Sequence, residues 1–466
     1  MAEFSRILPL VVASALFMES MDSTVIATAL PSIASDLKVD PVVLKLAFTT
    51  YLLSLTVFIP ISGWAADRFG ARHVFRAAIA VFTVGSIACG FAQSLEGLVA
   101  ARALQGVGGA MMVPVGRLIL LRAIPKHQMV NALAYLTIPA LIGPLIGPPI
   151  GGFITTYFHW RWIFLINVPV GIVGLVLATV LMPDIRAERI PRLDTLGFLL
   201  SATGLSGLMF GLTVLGRELL PDELAVALII GGTVLLGLYI LHARRTDEPI
   251  LDLKLLRIMT FRAGVIGGSL FRIGVGATPF LLPLLLQLGF GMTAFQSGLL
   301  TCASVAGALT MKFTVHRVLR HYGFRTVLIV NGLVSAAFIA ANGLFTIATP
   351  LVVIALCLLF GGFFRSLQFT SMNALSYADI DQPAMGPATS FYMVAQQLSL
   401  SAGVAFAAFV LEMTQMIRGD LTLVAADFSF AFIAVGVVSA LSIVSYLSLP
   451  HDAGEELVRL TSQAAR

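Results

Sequence analysis

Five ionisable side chains lie deep inside long apolar stretches of this 466-residue chain: Glu19, Asp22, Arg102, Arg272 and Arg365. A charge at the centre of a bilayer costs at least about 2.5–3.5 kcal/mol unless it is paired or faces water, so each is a candidate for function. Glu19 and Asp22 are three residues apart, which puts both carboxylates on one helix face. Two carboxylates so close in a poorly solvated setting titrate as a coupled pair, the chemistry by which a proton is taken up on one side of a membrane and released on the other. The alternative is a structural pair neutralised by arginine. Arg102 sits near the outer end of its stretch, at a depth that overlaps Asp22, so an ion pair between them is expected. Snorkelling of the guanidinium to the outer interface is the competing reading. Arg272 and Arg365 are expected to face an interior cavity. With three arginines against two acids inside the membrane, organic cations are not favoured as ligands. Gln396, Gln397, Ser399 and Ser401 make a polar stripe that either contacts a ligand or joins helices.

Other chemistries find little support. Cys89, Cys302 and Cys357 stand apart with no CxxC, and His316 and His321 are five residues apart, which misses the spacing that stacks two ligands on a helix face. No catalytic residue, cofactor site or metal site is expected. The basic excess is small, at net charge +5, and does not point to nucleic acid.

The elements that must position these residues are transmembrane helices. Apolar residues make up 58% of the chain and charged ones 11%, against about 25% in soluble domains, and the mean hydropathy is +0.96. A bilayer core of about 30 Å requires roughly 20 apolar residues per helix, and fourteen such stretches emerge, from 8–31 through 427–449. The first resembles a signal peptide at Ala27-Thr28-Ala29, but Glu19 and Asp22 argue against cleavage. No connection is much longer than about 20 residues, so a soluble catalytic domain has no place to be, and an enzyme is not expected. An even number of spans puts both termini on one side. That side holds 21 of the 29 Lys and Arg residues, against five (Lys38, Lys45, Arg161, Arg217 and Arg418) on the other. The positive-inside rule therefore predicts cytoplasmic termini.

Between spans two and three, Gly63, Asp67, Arg68, Gly70 and Arg72 crowd into a short cytoplasmic turn. The glycines permit close approach and a tight turn, Asp67 is expected to cap a helix start, and the arginines to pair across an interface, together latching this side shut. Ordinary positive-inside anchoring is the alternative. The segment aligns without gaps to His316–Arg325, where Gly323, Arg325 and the aromatic Tyr322 persist. If spans seven and eight are an insertion, that copy follows the second helix of a second set of six, which gives a 6 + 2 + 6 arrangement. The expected organisation is a six-helix bundle over 1–182, a linker with two extra helices over 183–260, and a second six-helix bundle over 261–466. In span five, Gly143, Gly147 and Gly151, with Pro148 and Gly152, form a smooth stripe against which another helix, or a second copy of the chain, can pack.

These features resemble the major facilitator superfamily, specifically its 14-spanner drug:proton antiporter branch of the EmrB/QacA type, and within it the MdtD group of multidrug exporters. Gly63, Asp67, Arg68, Gly70 and Arg72 match the family's motif A, and Asp22-Ser-Thr-Val-Ile-Ala-Thr-Ala-Leu-Pro31 its first-helix motif. Arg102-Ala-Leu-Gln105-Gly106-Val-Gly108-Gly109 resembles motif B, Gly143, Gly147, Pro148, Gly151 and Gly152 resemble the antiporter motif C, and Trp160 to Pro169 is typical of the branch. The resemblance implies an all-α fold in which two six-helix bundles alternate access to a central cavity. It also implies proton coupling through Asp22 and Arg102, and a cytoplasmic gate at motif A. The implied partners are a small-molecule substrate, protons driven by their gradient, the lipid of a cell membrane (the inner one in a Gram-negative source) and other efflux-system components. A specific metabolite carrier of the same fold is the alternative, and a channel is disfavoured because no ring of charges or carbonyls recurs. The second copy of motif A departs from the pattern, with His316 for the first Gly and Arg320 for the Asp, so no latch is expected there.

Overall fold

The computed structural model describes residues 4–123, 129–183, 192–214, 221–381, 384–419 and 422–454, with side chains at all of these except 4–7, 121, 129–141 and 316. Lys126, Arg186, Arg189, Arg217, Arg459 and Arg466 of the charge asymmetry lie outside the described residues, as do the side chains of Arg6 and His316. Every long element among the described residues is a helix and there is no strand. Thirteen helices there are long and apolar enough to cross a membrane. The helix Met129–Tyr157, part of whose side chains fall outside the described set, is the fourteenth by sequence.

The chain divides into two compact units, Met1–Leu251 and Asp252–Arg466. The first holds α1 (Phe4–Leu37), α2 (Lys45–Phe69), α3 (Ala71–Phe91), α4 (Leu95–Ala123), α5 (Met129–Tyr157), α6 (Trp162–Leu165), α7 (Asn167–Leu181), α8 (Thr195–Val214) and α9 (Asp222–Ala243). The second holds α10 (Met259–Leu284), α11 (Ala294–Met311), α12 (Val315–Ala341), α13 (Leu351–Ser376), α14 (Met385–Arg418), α15 (Ala425–Ala440) and α16 (Ser442–Leu447). α6 with α7, and α15 with α16, each make one span. Pro169 accounts for the first of these breaks, because it cannot donate to the carbonyl four residues back and its ring crowds that turn.

Within the first unit α1 packs on α5 and α7, α2 on α4, and α3 on α4 and α7. Within the second, α10 packs on α14 and α15, α11 on α13, and α12 on α13 and α15. Counted as spans, the pairings are the same in both: first with fifth and sixth, second with fourth, third with fourth and sixth. α8 and α9 stand outside this pattern as a hairpin that leans on α2, where Phe58 meets Phe198 at 6.2 Å between ring centres. Lipid-facing chemistry is plain on α9, whose Ile230, Val234, Leu238 and Leu241 are 46–58% exposed along one stripe. Such a surface is unsuited to water and matches acyl chains.

The glycine stripe of α5 is covered by α1 of the same unit. A Cβ added to Gly143 would lie 2.9 Å from Ser20 Cβ, one on Gly151 would lie 2.7 Å from Thr28 Oγ1, and one on Gly147 would collide with the Thr24 hydroxyl. Pro148 and Gly152 are buried beside it. Absence of side chains thus lets two helix backbones touch, and the stripe is already occupied without a second chain.

Candidate functional site

The residues singled out on α1 meet their partners inside the first unit. Asp22 is 2% exposed and its carboxylate accepts three hydrogen bonds. Arg102 Nη1 of α4 donates to Oδ2 at 2.6 Å, while Gln105 Nε2 of α4 and Asn167 Nδ2 of α7 each donate to Oδ1 at 2.8 Å. The same Arg102 nitrogen donates to Gln105 Oε1 at 2.6 Å, and Ser86 of α3 accepts from both Gln105 and Asn167, at 2.7 and 3.1 Å. Arg102 also lies over the Tyr51 ring of α2 at 4.2 Å and is itself fully buried, so it is not at the outer interface. Two helices besides α1 therefore donate to one carboxylate, and α2 and α3 hold those donors in place. Charge-assisted hydrogen bonds of this kind are about twice as strong as neutral ones, and the low dielectric strengthens them further.

Small residues bring α4 close enough. A Cβ on Gly106 would lie 2.6 Å from Ser54 Cβ of α2, and one on Gly108 would lie 2.5 Å from the Phe82 nitrogen of α3. α4 is wedged between α2 and α3 by these contacts, and Arg102 and Gln105 sit one turn away facing α1. Glu19 is half-buried one turn from Asp22, and both the Tyr51 hydroxyl and Glu19 border the space left by Gly109, at 3.1 and 3.8 Å from where its Cβ would stand.

Ser86 and Tyr51 are not marked by type and spacing, and Gln105 and Asn167 only as parts of family motifs. A lone amide in an apolar span is the signal that could have found Gln105 and Asn167, since each needs a partner in hydrocarbon. The tract around Asn167 clamps a second point. Trp160 Nε1 and Arg161 donate to Asp36 at the end of α1, at 2.9 and 2.8 Å, and Arg161 also reaches the Ala92 carbonyl after α3 at 2.9 Å.

At the opposite end of the helices, Asp67 lies in the last turn of α2 rather than at a helix start, so it caps nothing. Its partner is Arg122 at the end of α4, at 2.7 Å. Gly70 makes the turn with φ 89° and ψ 128°, a conformation essentially restricted to glycine. Arg72 donates to the Thr179 carbonyl at the end of α7. Arg68 is exposed, and no atom approaches within 4 Å of the place of a Gly63 Cβ, so close packing is absent there. The second unit repeats the core of this arrangement. Gly323 breaks α12 with φ 71° and ψ 164°, and Arg325 donates to the Leu447 carbonyl at the end of α16, at 3.1 Å. The glycine turn and the arginine clasp are thus common to both units, whereas the acidic partner belongs to the first alone.

Arg272 of α10 is fully buried. It donates to the Tyr392 hydroxyl, lies 4.4 Å from that ring, and meets Asn373 at 3.4 Å. Arg365 of α13 borders a cavity and donates to Ser304 Oγ at 2.5 Å. Gln396 and Gln397 are half-buried on α14, Ser399 bonds back to the Ala395 carbonyl at 2.5 Å, and Ser401 is buried. Arg365-Ser-Leu-Gln368 also repeats the Arg102-Ala-Leu-Gln105 pattern of the fourth span in each set of six, a correspondence not anticipated from the sequence.

Two similarly paired helical units and a buried, arginine-held carboxylate define a multi-pass membrane transporter. The sequence model of the Major Facilitator Superfamily matches residues 12–404, and the chain belongs to that family, whose members are transporters and not enzymes. It is 38% identical over 447 residues to a protein of Pectobacterium carotovorum subsp. carotovorum strain PC1 provisionally named multidrug resistance protein MdtD, with 95% of each chain covered. A namesake from Salmonella heidelberg strain SL476 is 38% identical over 456 residues, with 96% of each covered. Among solved structures, a D-xylose-proton symporter superposes with a TM-score of 0.70 at 15% identity, covering 96% of this chain and 98% of its own, which is a likeness of fold.

Proposed function

We propose that this protein is a proton-coupled antiporter that exports small amphipathic or hydrophobic compounds, as a multidrug exporter, by alternating access. The observation that carries the reading is the Asp22 carboxylate held at once by Arg102, Gln105 and Asn167, with Glu19 one turn away. The name borne by relatives 38% identical over nearly the whole chain supports the multidrug part. A conformational change that draws α4 from α1 separates the pair on the outer side, where the carboxylate takes a proton as substrate leaves; the return to the inward-facing state re-forms the pair and releases the proton to the cytoplasm, where substrate binds again. Arg72 and the Asp67–Arg122 pair tie the helix ends on the side that must open and close, the gate role expected of motif A. The organisation is 6 + 2 + 6, a reading supported by the repeated pairings and by the position of the α8–α9 hairpin outside them, and both termini are cytoplasmic, a reading supported by the Lys and Arg asymmetry. The membrane is the inner one if the source is Gram-negative, no cofactor beyond the proton gradient takes part, and other efflux components are candidate partners.

The test is efflux of a dye panel from membrane vesicles under an imposed pH gradient, with the parent beside Asp22→Asn and Glu19→Gln. Gradient-driven transport of several dyes by the parent, lost in Asp22→Asn, is expected. Transport undiminished in both variants overturns carboxylate coupling, and one tight physiological substrate in place of many overturns the multidrug reading in favour of a specific carrier.

A further inference from the structure

Arg102 has two kinds of partner. Asp22 answers its charge at 2.6 Å, and two aromatic rings flank it: the guanidinium carbon lies 4.2 Å from the centre of the Tyr51 ring of α2 and 5.9 Å from that of Phe164 of α6. Cation–π attraction extends to about 6 Å, so Tyr51 supplies most of it. Tyr51 is 1% exposed and is held against α4. A Cβ on Gly106 would lie 2.7 Å from the Tyr51 carbonyl, and one on Gly109 would lie 3.1 Å from its hydroxyl, so α4 runs along the length of the residue. One turn earlier on α2, the Ala47 carbonyl accepts from Arg102 Nε at 3.4 Å. Through these contacts α2 travels with α4, and a movement that draws α4 from α1 parts Arg102 from Asp22 while leaving it with Tyr51.

The second unit holds a guanidinium that has rings and no carboxylate. Arg272 is fully buried and has no Asp or Glu within ion-pair distance among the described residues. Its Nη2 donates to the Tyr392 hydroxyl and meets Asn373 Oδ1 at 3.4 Å, whereas Nε and Nη1 have no hydrogen-bond partner. The guanidinium carbon lies 4.4 Å from the centre of the Tyr392 ring and 5.3 Å from that of Phe369. A tyrosine face a little over 4 Å away, with a phenylalanine farther off, thus accompanies a buried arginine that lacks a counter-charge, and the same pair of ring types surrounds Arg102. Aromatic faces are the remaining electron-rich surface available to a cation in hydrocarbon once no carboxylate answers it.

We propose that Tyr51 is a positioning residue for proton coupling: its ring face seats Arg102 while Asp22 carries the proton. A ring quadrupole attracts a guanidinium and repels a carboxylate paired with it, so the two effects partly cancel while the ion pair is intact. Neutralising or withdrawing the carboxylate removes the repulsion and leaves the attraction whole. Arg102 therefore stays at the level of Asp22 through the protonated part of the cycle and meets the carboxylate again when the proton leaves. The inference rests on the coupling reading above and names the residue that holds the arginine in the broken state.

Asp22→Asn imitates the protonated carboxylate, and a trifluorinated phenylalanine in place of Tyr51 nearly keeps the shape of the ring while withdrawing charge from its face. Tyr51→Phe is the reference, so any effect of the hydroxyl cancels. The full-length protein in phosphatidylcholine nanodiscs is melted and followed by tryptophan fluorescence, all three tryptophans lying in the first unit. Fluorination should lower the melt by about 2–4 °C in Asp22→Asn and by less than half as much beside Asp22. The same comparison in Arg102→Gln measures what fluorine costs in packing and should show a shift under about 1 °C. An effect no larger in Asp22→Asn than beside Asp22, or one that persists in Arg102→Gln, overturns the proposal. A second measurement needs no change at Asp22: fluorination should slow gradient-driven dye export about threefold relative to Tyr51→Phe, and an unchanged rate also overturns the proposal. Export that persists in Asp22→Asn, with the melts as expected, sinks proton coupling and leaves the seat; export lost in Asp22→Asn, with equal ring effects in both backgrounds, sinks the seat alone.

Discussion

Removing either member of the Asp22–Arg102 pair should destabilise the first unit, and removing both should cost little more than removing one. In Asp22→Asn the guanidinium keeps Gln105 Oε1 at 2.6 Å, the Ala47 carbonyl at 3.4 Å and the Tyr51 ring at 4.2 Å, but loses its counter-charge. In Arg102→Gln the carboxylate keeps its two amide donors at 2.8 Å. Breaking a buried pair from one side costs about 3–5 kcal/mol, and these surviving partners place each single near the lower end, about 3 kcal/mol. The double variant buries no lone charge and should also lie about 3 kcal/mol below the parent, not about 6, a coupling energy of about 3 kcal/mol. The three tryptophans, Trp64, Trp160 and Trp162, all belong to the first unit, so intrinsic fluorescence reports its unfolding without interference from the second. Thermal scans in nanodiscs should show each single lowered by roughly 6–12 °C, at about 2–4 °C per kcal/mol. Singles that melt within about 2 °C of the parent, or effects that add in the double, would refute the reasoning.

Three further outcomes follow from the same geometry. Gly70→Ala and Gly323→Ala each force a side chain into positive-φ backbone and should cost about 1–3 kcal/mol; the tryptophan melt should register the first and miss the second. Gly147→Leu places a side chain where Thr24 already stands and should abolish correctly folded protein in size-exclusion profiles, whereas Gly63→Ala, with open space beside it, should leave the profile unchanged. Asp67→Asn and Arg122→Gln remove a pair that is 15% and 33% exposed, so melting should move by less than about 1 kcal/mol. Both should nevertheless alter transport rate alike, and the exchange Asp67→Arg with Arg122→Asp should restore it.

The helices and their order were legible in the sequence because hydrocarbon allows few alternatives: a run of about 20 apolar residues must be a helix. The Asp22–Arg102 pair was legible for a related reason, since two opposite charges at matching depth have a strong incentive to meet. What spacing does not encode is direction around a helix relative to a neighbour. Asn167 and Ser86 are ordinary polar residues in sequence; Asn167 becomes a donor to Asp22, and Ser86 an acceptor for the amides of Gln105 and Asn167, only because α7 and α3 turn those faces toward α1. The same limit applies to Arg272, whose depth is plain in sequence while its contacts with Tyr392 and Asn373 are not. Asp67 is a matter of boundaries: α2 runs on to Phe69, so the residue ends a helix and does not begin one. The repeat was visible at Gly70 and Gly323, where backbone demands glycine, and was missed at Arg365-Ser-Leu-Gln368 because the carboxylate that gives Arg102 its meaning has no counterpart there.

Coupling of substrate movement to proton movement through Asp22 is tested most directly in proteoliposomes holding a pH-sensitive dye, with no gradient imposed at the start. Substrate added to one side should drive a counter-flux of protons with the parent. Asp22→Asn should still exchange labelled for unlabelled substrate across the membrane while moving no protons. Proton flux that persists with substrate in Asp22→Asn would contradict the assignment of Asp22 as the coupling carboxylate.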